Sequence, residues 1–162
     1  MKTQVWQVGG KWIDLDTTEV GTWVKTTNNT DIFKSVQEYE EIGSDSTTSP
    51  LFFDFDSTDI AVSQKDTIKV VEYLQQYTTP EIYFSGNKGF HVIVRQEVVG
   101  IDFTVDLHKK MKNFVKFVEN SIEPLPTLDY VVYSSKRMLR IPNSKHGKSG
   151  LYKIPISLDE LK

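Results

Sequence analysis

The apolar positions of this chain change period several times, and each change predicts an element. In "LFFDFD" (Leu51–Asp56), Phe53 and Phe55 fall on one side of an extended chain, and Asp54 and Asp56 on the other. That pattern predicts a strand with an aromatic core side. Ile68, Val71, Leu74 and Tyr77 then recur at helical spacing, predicting a helix over Val62–Tyr77 that Pro80 stops. "EIYFS" (81–85) and "FHVIVR" (90–95) are β-rich runs separated by "GNKG", which predicts a hairpin with a four-residue connection. On its second strand, His91 shares a face with Ile93 and Arg95, opposite Phe90, Val92 and Val94. A second helix is predicted over Val105–Ile122. Leu107, Met111, Phe114, Val118 and Ile122 form its apolar stripe, and Lys109, Lys110, Lys112 and Lys116 its polar side. "DIFKSVQEYEE" (31–41) reads as strand-like and "LYKIPI" (151–156) as a last strand. Gly43–Pro50 consists of turn formers and reads as a loop. Strands alternate with helices, but hairpins intrude. This favours an α+β fold with a mixed or antiparallel sheet over a doubly wound one.

Bulk properties narrow the function classes. At 162 residues the chain suits one domain. It has no Cys, which excludes disulfides, Cys-ligated zinc and thiol nucleophiles. No apolar run is long enough to span a bilayer and the N-terminus has no signal-type apolar region, so a soluble, cytoplasmic protein without membrane partners is expected. The net charge of -3 argues against a uniformly basic nucleic-acid coat. Its distribution is more informative. Glu38–Asp59 holds seven acids and no Lys or Arg, whereas Ser134–Lys153 holds six Lys/Arg and no acid. These are either two solvated segments or an acidic, metal-holding edge facing a basic, phosphate-holding one.

Asp54 and Asp56 would sit with Cα atoms roughly 6.6 Å apart on one strand face. Two such carboxylates suit Mg²⁺ or Mn²⁺, though D-x-D alone also describes a strand end with two solvated acids. In "SGNKGFH", Ser85, Lys88 and His91 would offer converging donors to triphosphate oxygens; alternatively this is an ordinary glycine turn. Asp129 is a candidate third carboxylate. Arg140, Lys145, His146 and Lys148 form a cationic loop. Its "GKS" is not a P-loop, because Pro142 stands where the first Gly is required and a strand follows. No G-x-S-x-G elbow supports a Ser/His hydrolase. His108, among lysines on a helix, is expected to face solvent.

Taken together and in order, "FDFD", "SGNKGFHV" and "LDYVVYSSKRMLRIPNSKHGKSGLYKIPI" resemble the three motifs of the archaeo-eukaryotic primase superfamily. This is the family of the small catalytic primase subunit and of phage and plasmid primase-polymerases. The resemblance runs from about Ile32 to Pro155, and the strand carrying Lys34 resembles the family's upstream strand. It implies a primase catalytic core, an α/β unit joined to an RRM-like unit with the active site in the cleft between them. It implies two Mg²⁺ or Mn²⁺ ions on Asp54, Asp56 and Asp129. It further implies nucleotide phosphates on Ser85, Lys88, His91, Arg140 and His146, with Lys34 and Lys148 as weaker candidates. The implied activity is template-directed nucleotidyl transfer from NTPs or dNTPs on single-stranded DNA. A helicase or other replication protein is an implied partner, and the domain would be whole or the N-terminal part of a longer replication protein. The cell would be bacterial, archaeal or phage-infected. Without Cys, the zinc knuckle of many cellular relatives is not expected. The segment between Asp129 and Arg140 is about one residue shorter than in cellular primases. Rival readings are a non-catalytic primase-like module that positions an initiator on DNA, and an unrelated D-x-D glycosyltransferase or nuclease.

Overall fold

Two antiparallel sheets share the strands of the computed structural model, which describes residues 1–44, 46–100 and 106–162. In chain order the strands are β1 (Lys2–Gln7), β2 (Ile13–Asp16), β3 (Ile32–Ser35), β4 (Glu38–Tyr39), β5 (Ser46–Thr48), β6 (Leu51–Asp56), β7 (Glu81–Phe84), β8 (Gly89–Val94), β9 (Met138–Arg140) and β10 (Ile154–Ile156). The helices are α1 (Val20–Val24), α2 (Ile60–Leu74), α3 (Gln96–Val99), α4 (Leu107–Ile122) and α5 (Leu158–Leu161). One sheet runs β5-β4-β1-β3-β9, with β2 also on β1; the other runs β10-β7-β8-β6. Every ladder between these strands is antiparallel, so the fold is α+β.

Helices α2 and α4 cover one face of the second sheet. Leu51, Phe53 and Phe55 of β6 pack there with Phe90, Val92 and Val94 of β8, Val70, Val71 and Leu74 of α2, and Leu107, Met111, Val115 and Val118 of α4. The alternation predicted for both strands thus holds. The opposite face of the sheet is not solvated either. Phe52 is buried there against Val132 and Leu139, in a smaller cluster. β6 is therefore apolar on both sides at its start, and its polar face opens only at Asp54.

Several boundaries differ from the sequence reading for local reasons. α2 begins at Ile60, because Asp59 caps it by accepting the Ala61 amide at 3.0 Å. Tyr77 lies beyond its end and is exposed. The run 31–41 is broken into β3 and β4, where the Ser35 hydroxyl donates to the Gln37 carbonyl and competes with the ladder. The segment expected to be a loop before β6 contains β5, which pairs with β4. Asp45 within it, and the predicted helix start at Val105, lie outside the described residues. Of "LYKIPI" only the last three residues join the sheet. The Lys153 amide and carbonyl bond Ser144 and Asn143 instead. The hairpin connection keeps four residues but is shifted by one, to 85–88.

Candidate active site

Past Phe52, the two sheets diverge into a cleft of about 220 Å³ lined by residues of β3, β6, β8, β9 and the loops beside them. Asp54 stands at its floor with a side chain 15% exposed, and Asp56 at its mouth. Asp129 is brought to the same wall by backbone pairing. The Asp56 amide donates to the Thr127 carbonyl (2.9 Å), and the Asp129 amide donates to the Asp54 carbonyl (2.8 Å). Residues 127–129 thus run as a short added rung along the free edge of β6. Asp66, buried on α2, anchors this rung by accepting from both the amide (3.1 Å) and hydroxyl (2.7 Å) of Thr127.

Burial pushes the Asp54 carboxyl up to about 6. Arg137, with Nη2 3.7 Å from Oδ2, opposes that rise, and the neighbouring charges of Asp129 and Asp56 add to it. Among the described residues, no three His, Asp or Glu side chains form a ready-made ligand cluster. Three oxygen donors whose mutual repulsion already raises a pKa nevertheless fit a hard divalent cation, which would relieve that repulsion.

Facing the acids are the hairpin and the basic loop. Gly86 takes φ +90° to turn the chain, and the Ser85 hydroxyl accepts the Asn87 and Gly89 amides at 3.4 and 3.3 Å. That arrangement sets Lys88 at the exposed tip. His91 is directly opposite Asp54 in the β6–β8 ladder, with Nε2 3.5 Å from Oδ1. Burial, reinforced by Lys153, Arg137 and Arg140, lowers its pKa well below the ordinary histidine value. It is neutral, and its buried Nδ1 has no hydrogen-bond partner. In the basic loop, His146 Nδ1 accepts the Lys148 and Ser149 amides, both at 3.2 Å. Its proton therefore resides on Nε2, as a donor for the cleft. The Ser149 hydroxyl donates to the Gly86 carbonyl, joining the loop to the hairpin tip.

Asp54, Asp56, Asp129, Ser85, Lys88, His91, Arg140 and His146 all line this cleft. Two of the weaker candidates do not. Lys34 lines a second, larger cleft of about 440 Å³ and pairs with Glu38 at 3.5 Å. Lys148 contributes its backbone amide to the loop turn. Arg140 is largely engaged within the protein: Nη1 donates to Asp31 Oδ1 (2.7 Å) and the Lys145 carbonyl (3.0 Å).

Four residues emerge only in three dimensions. Arg137 lines the cleft with a buried Nε that has no partner. Asp31 binds Arg140 and the Gly147 amide. Burial would raise its carboxyl, but those two donors outweigh it and hold it below the ordinary range. Asp66 anchors the third acid. Lys153 is fully buried between the clefts, donates to the Arg140 carbonyl at 3.0 Å, and is pushed by that burial down to about 7. The surplus of cations in 134–153 was the signal available for Arg137 and Lys153. Nothing local marked the two aspartates.

No protein-family model matches the chain. Among curated proteins it is similar to the DNA primase small subunit PriS of Saccharolobus solfataricus, with 33% identity over 44% of this chain and 28% of that protein. PriS of Saccharolobus islandicus (strain L.S.2.15) gives 34% identity over the same shares. The match thus spans little more than a quarter of the length of these relatives. Among solved structures, the primase-polymerase AEP domain of cyanophage S-2L superposes with a TM-score of 0.58 at 13% identity, covering 97% of this chain and 80% of that one. The polymerase domain of Mycobacterium tuberculosis Ligase D, solved in complex with DNA, gives 0.60 at 15% identity, covering 99% and 64%. Primase RepB′ gives 0.55 at 12% identity, covering 96% and 50%. The fold is thus that of primase-polymerase catalytic domains. The partial sequence matches to PriS and this shared fold agree with the resemblance of the three motifs to the archaeo-eukaryotic primase superfamily.

Proposed function

We propose that residues 1–162 form one catalytic domain, cytoplasmic in the cell, that performs template-directed nucleotidyl transfer from NTPs or dNTPs on single-stranded DNA. The observation that carries this reading is the meeting, in one cleft, of three carboxylates with a set of cations and neutral donors. Two buried nitrogens in that cleft, His91 Nδ1 and Arg137 Nε, have no partner within the protein. Buried polar atoms are normally satisfied, and of the two the Arg137 Nε–H is a donor that an anionic ligand in the cleft would satisfy.

Asp54, Asp56 and Asp129 would hold two Mg²⁺ or Mn²⁺ ions, which supply activation of the attacking hydroxyl and stabilisation of the leaving pyrophosphate. The protein's own groups do the rest. Asp54 is mostly ionised at neutral pH and so available as a ligand. Lys88 and the Arg137 Nε–H are aimed at phosphate oxygens, and His146 Nε2–H adds a neutral donor. His91 sits against Asp54, with Nε2 3.5 Å from Oδ1, so it can orient the carboxylate beside the phosphates. Arg140 supports His146 from behind through Asp31 and Gly147, besides lending its charge. Lys34 and Lys148 lie further out, where they would meet the nucleic-acid backbone. No side chain need form a covalent bond. A helicase or another replication protein would be the natural partner.

The test is nucleotide incorporation on single-stranded templates with labelled NTPs or dNTPs, with and without a primer. Asp54→Ala combined with Asp56→Ala should abolish incorporation while the circular dichroism spectrum is kept. Residual extension by that double variant in Mg²⁺ or Mn²⁺ would refute the metal assignment. His91→Ala and Arg137→Ala should raise the nucleotide KM, and unchanged values in both would sink the phosphate assignment. Tight DNA binding with no incorporation by the unaltered protein would point to a non-catalytic module.

A further inference from the structure

A row of aromatic side chains crosses the first sheet and ends in the cleft. Trp6 on β1 is directly opposite Phe33 on β3, and Phe33 is directly opposite Arg140 on β9. Trp6 and Phe33 have ring centroids 5.6 Å apart, and the Arg140 guanidinium lies 4.8 Å from the Phe33 centroid. On the other side, Trp12 stacks on Trp6 at 5.6 Å with planes 12° apart. The Trp6 indole donates to the Gly10 carbonyl at 3.2 Å, which folds the β1–β2 turn so that Trp12 reaches it. Neither hydrophobic cluster contains these three rings, and Trp12 is 53% exposed. Trp6 and Phe33 are half-buried beside it, and an exposed aromatic that continues such a row marks an interaction site.

We propose that Trp12, Trp6 and Phe33 form a stacking platform for the bases of a single-stranded nucleic acid, along which the template enters the cleft. The inference rests on the nucleotidyl-transfer reading for the word template, but not for binding itself. Its occupant is argued from continuity. Phe33 and Arg140 belong both to the row and to the lining of the cleft where the polyanionic ligand is proposed. Cations flank the row at both ends, with Arg140 at the inner end and exposed Lys11 beside Trp12 in the chain. Aromatic surface bounded by cations suits a strand whose bases stack while its phosphates are neutralised. Stacking is indifferent to base identity, as a template site must be.

The test is binding of a fluorescein-labelled oligothymidylate, followed by anisotropy without nucleotide or added metal. Trp12→Ala should weaken binding about tenfold, the order expected for one stacked base. Trp12→Phe should stay within a few-fold of the parent. The Trp12→Ala loss should persist as salt is raised, whereas a Lys148→Ala loss should shrink, because only the latter is electrostatic. Two of the three tryptophans are in the row, so unlabelled oligothymidylate should also quench intrinsic fluorescence. Unchanged affinity in Trp12→Ala, absence of quenching, an equal loss in Tyr77→Ala on the helical layer, or no oligonucleotide binding at all would each overturn the platform. If Trp12→Ala does not fold, quenching and Trp12→Phe decide. Trp12-dependent binding in a protein that never incorporates nucleotides would refute the polymerase reading and leave the platform standing.

Discussion

Gly89 is required for what it lacks. Its backbone is not in the left-handed region, so no turn demands glycine there. A Cβ at this position would stand 1.7 Å from the Phe55 carbonyl oxygen, 2.8 Å from its carbonyl carbon and 3.1 Å from Asp56 Cα. All three atoms are backbone of β6, so no rotamer change relieves the overlap. Restoring ordinary contact would part the strands by more than about 1.5 Å, beyond the tolerance of a ladder hydrogen bond. Losing two such bonds costs about 2 kcal/mol, and loosening Phe55 and Phe90 adds a similar amount. Gly89→Ala should therefore destabilise the fold by roughly 3–5 kcal/mol, a large part of a typical domain's stability. The measurement is urea unfolding followed by circular dichroism. Gly21→Ala serves as control, because nothing lies within 4 Å of the Cβ it would add. A Gly89→Ala variant within about 1 kcal/mol of the parent would show that the close approach of β6 and β8 is not a constraint.

Four further outcomes follow from the site. Asp54 has a folded pKa of about 6, above the ordinary aspartate value of 3.8, so its folded state binds more protons between those values and stability from this group falls as pH rises through that window. Asp54→Asn should accordingly stabilise the metal-free protein at pH 7, by about 2 kcal/mol, and by less at pH 4; an equal effect at both pH values would contradict the shift. Protons should compete with Mn²⁺ at the same carboxylate, so affinity measured by calorimetry should drop about tenfold per pH unit below 6. Lys153 shows the opposite sign. Its folded pKa is depressed to about 7, so stability rises with pH from about 7 towards 10, and Lys153→Met should flatten that rise in pH-dependent melts. Asp66→Ala removes two buried hydrogen bonds to Thr127 and should cost about 2–3 kcal/mol, while weakening Mn²⁺ binding through Asp129. Unaltered Mn²⁺ affinity would show that the rung does not position the acid.

The parts of the site that were legible in the sequence are those encoded by neighbours in the chain. Period-2 alternation put Asp54 and Asp56 on one face and His91 opposite Val92, and the glycines marked the hairpin. The unread parts depend on distant pairings. Asp31 is 109 residues from Arg140, and Asp66 is 61 from Thr127. An aspartate at either place looks like any other polar residue until the fold supplies its partner. The aromatic row was hidden for the same reason, because Trp6, Phe33 and Arg140 become neighbours only across three strands. Phe52 misleads in the other direction. Its side of β6 reads as the polar face, yet a second sheet covers it, which no periodicity along β6 can disclose.

The rung formed by residues 127–129 fixes the third acid independently of the segment that follows it. Asp129 takes its position from β6 and α2, not from the chain leading to Arg140. Residues 130–137 are fixed separately, by Val132 against Phe52 and Leu139 and by Arg137 beside Asp54, so the segment carries its own anchors into the site. The floor of the cleft is thus held from two independent directions, the acid by the rung on β6 and the cation by the packing of the segment that follows it.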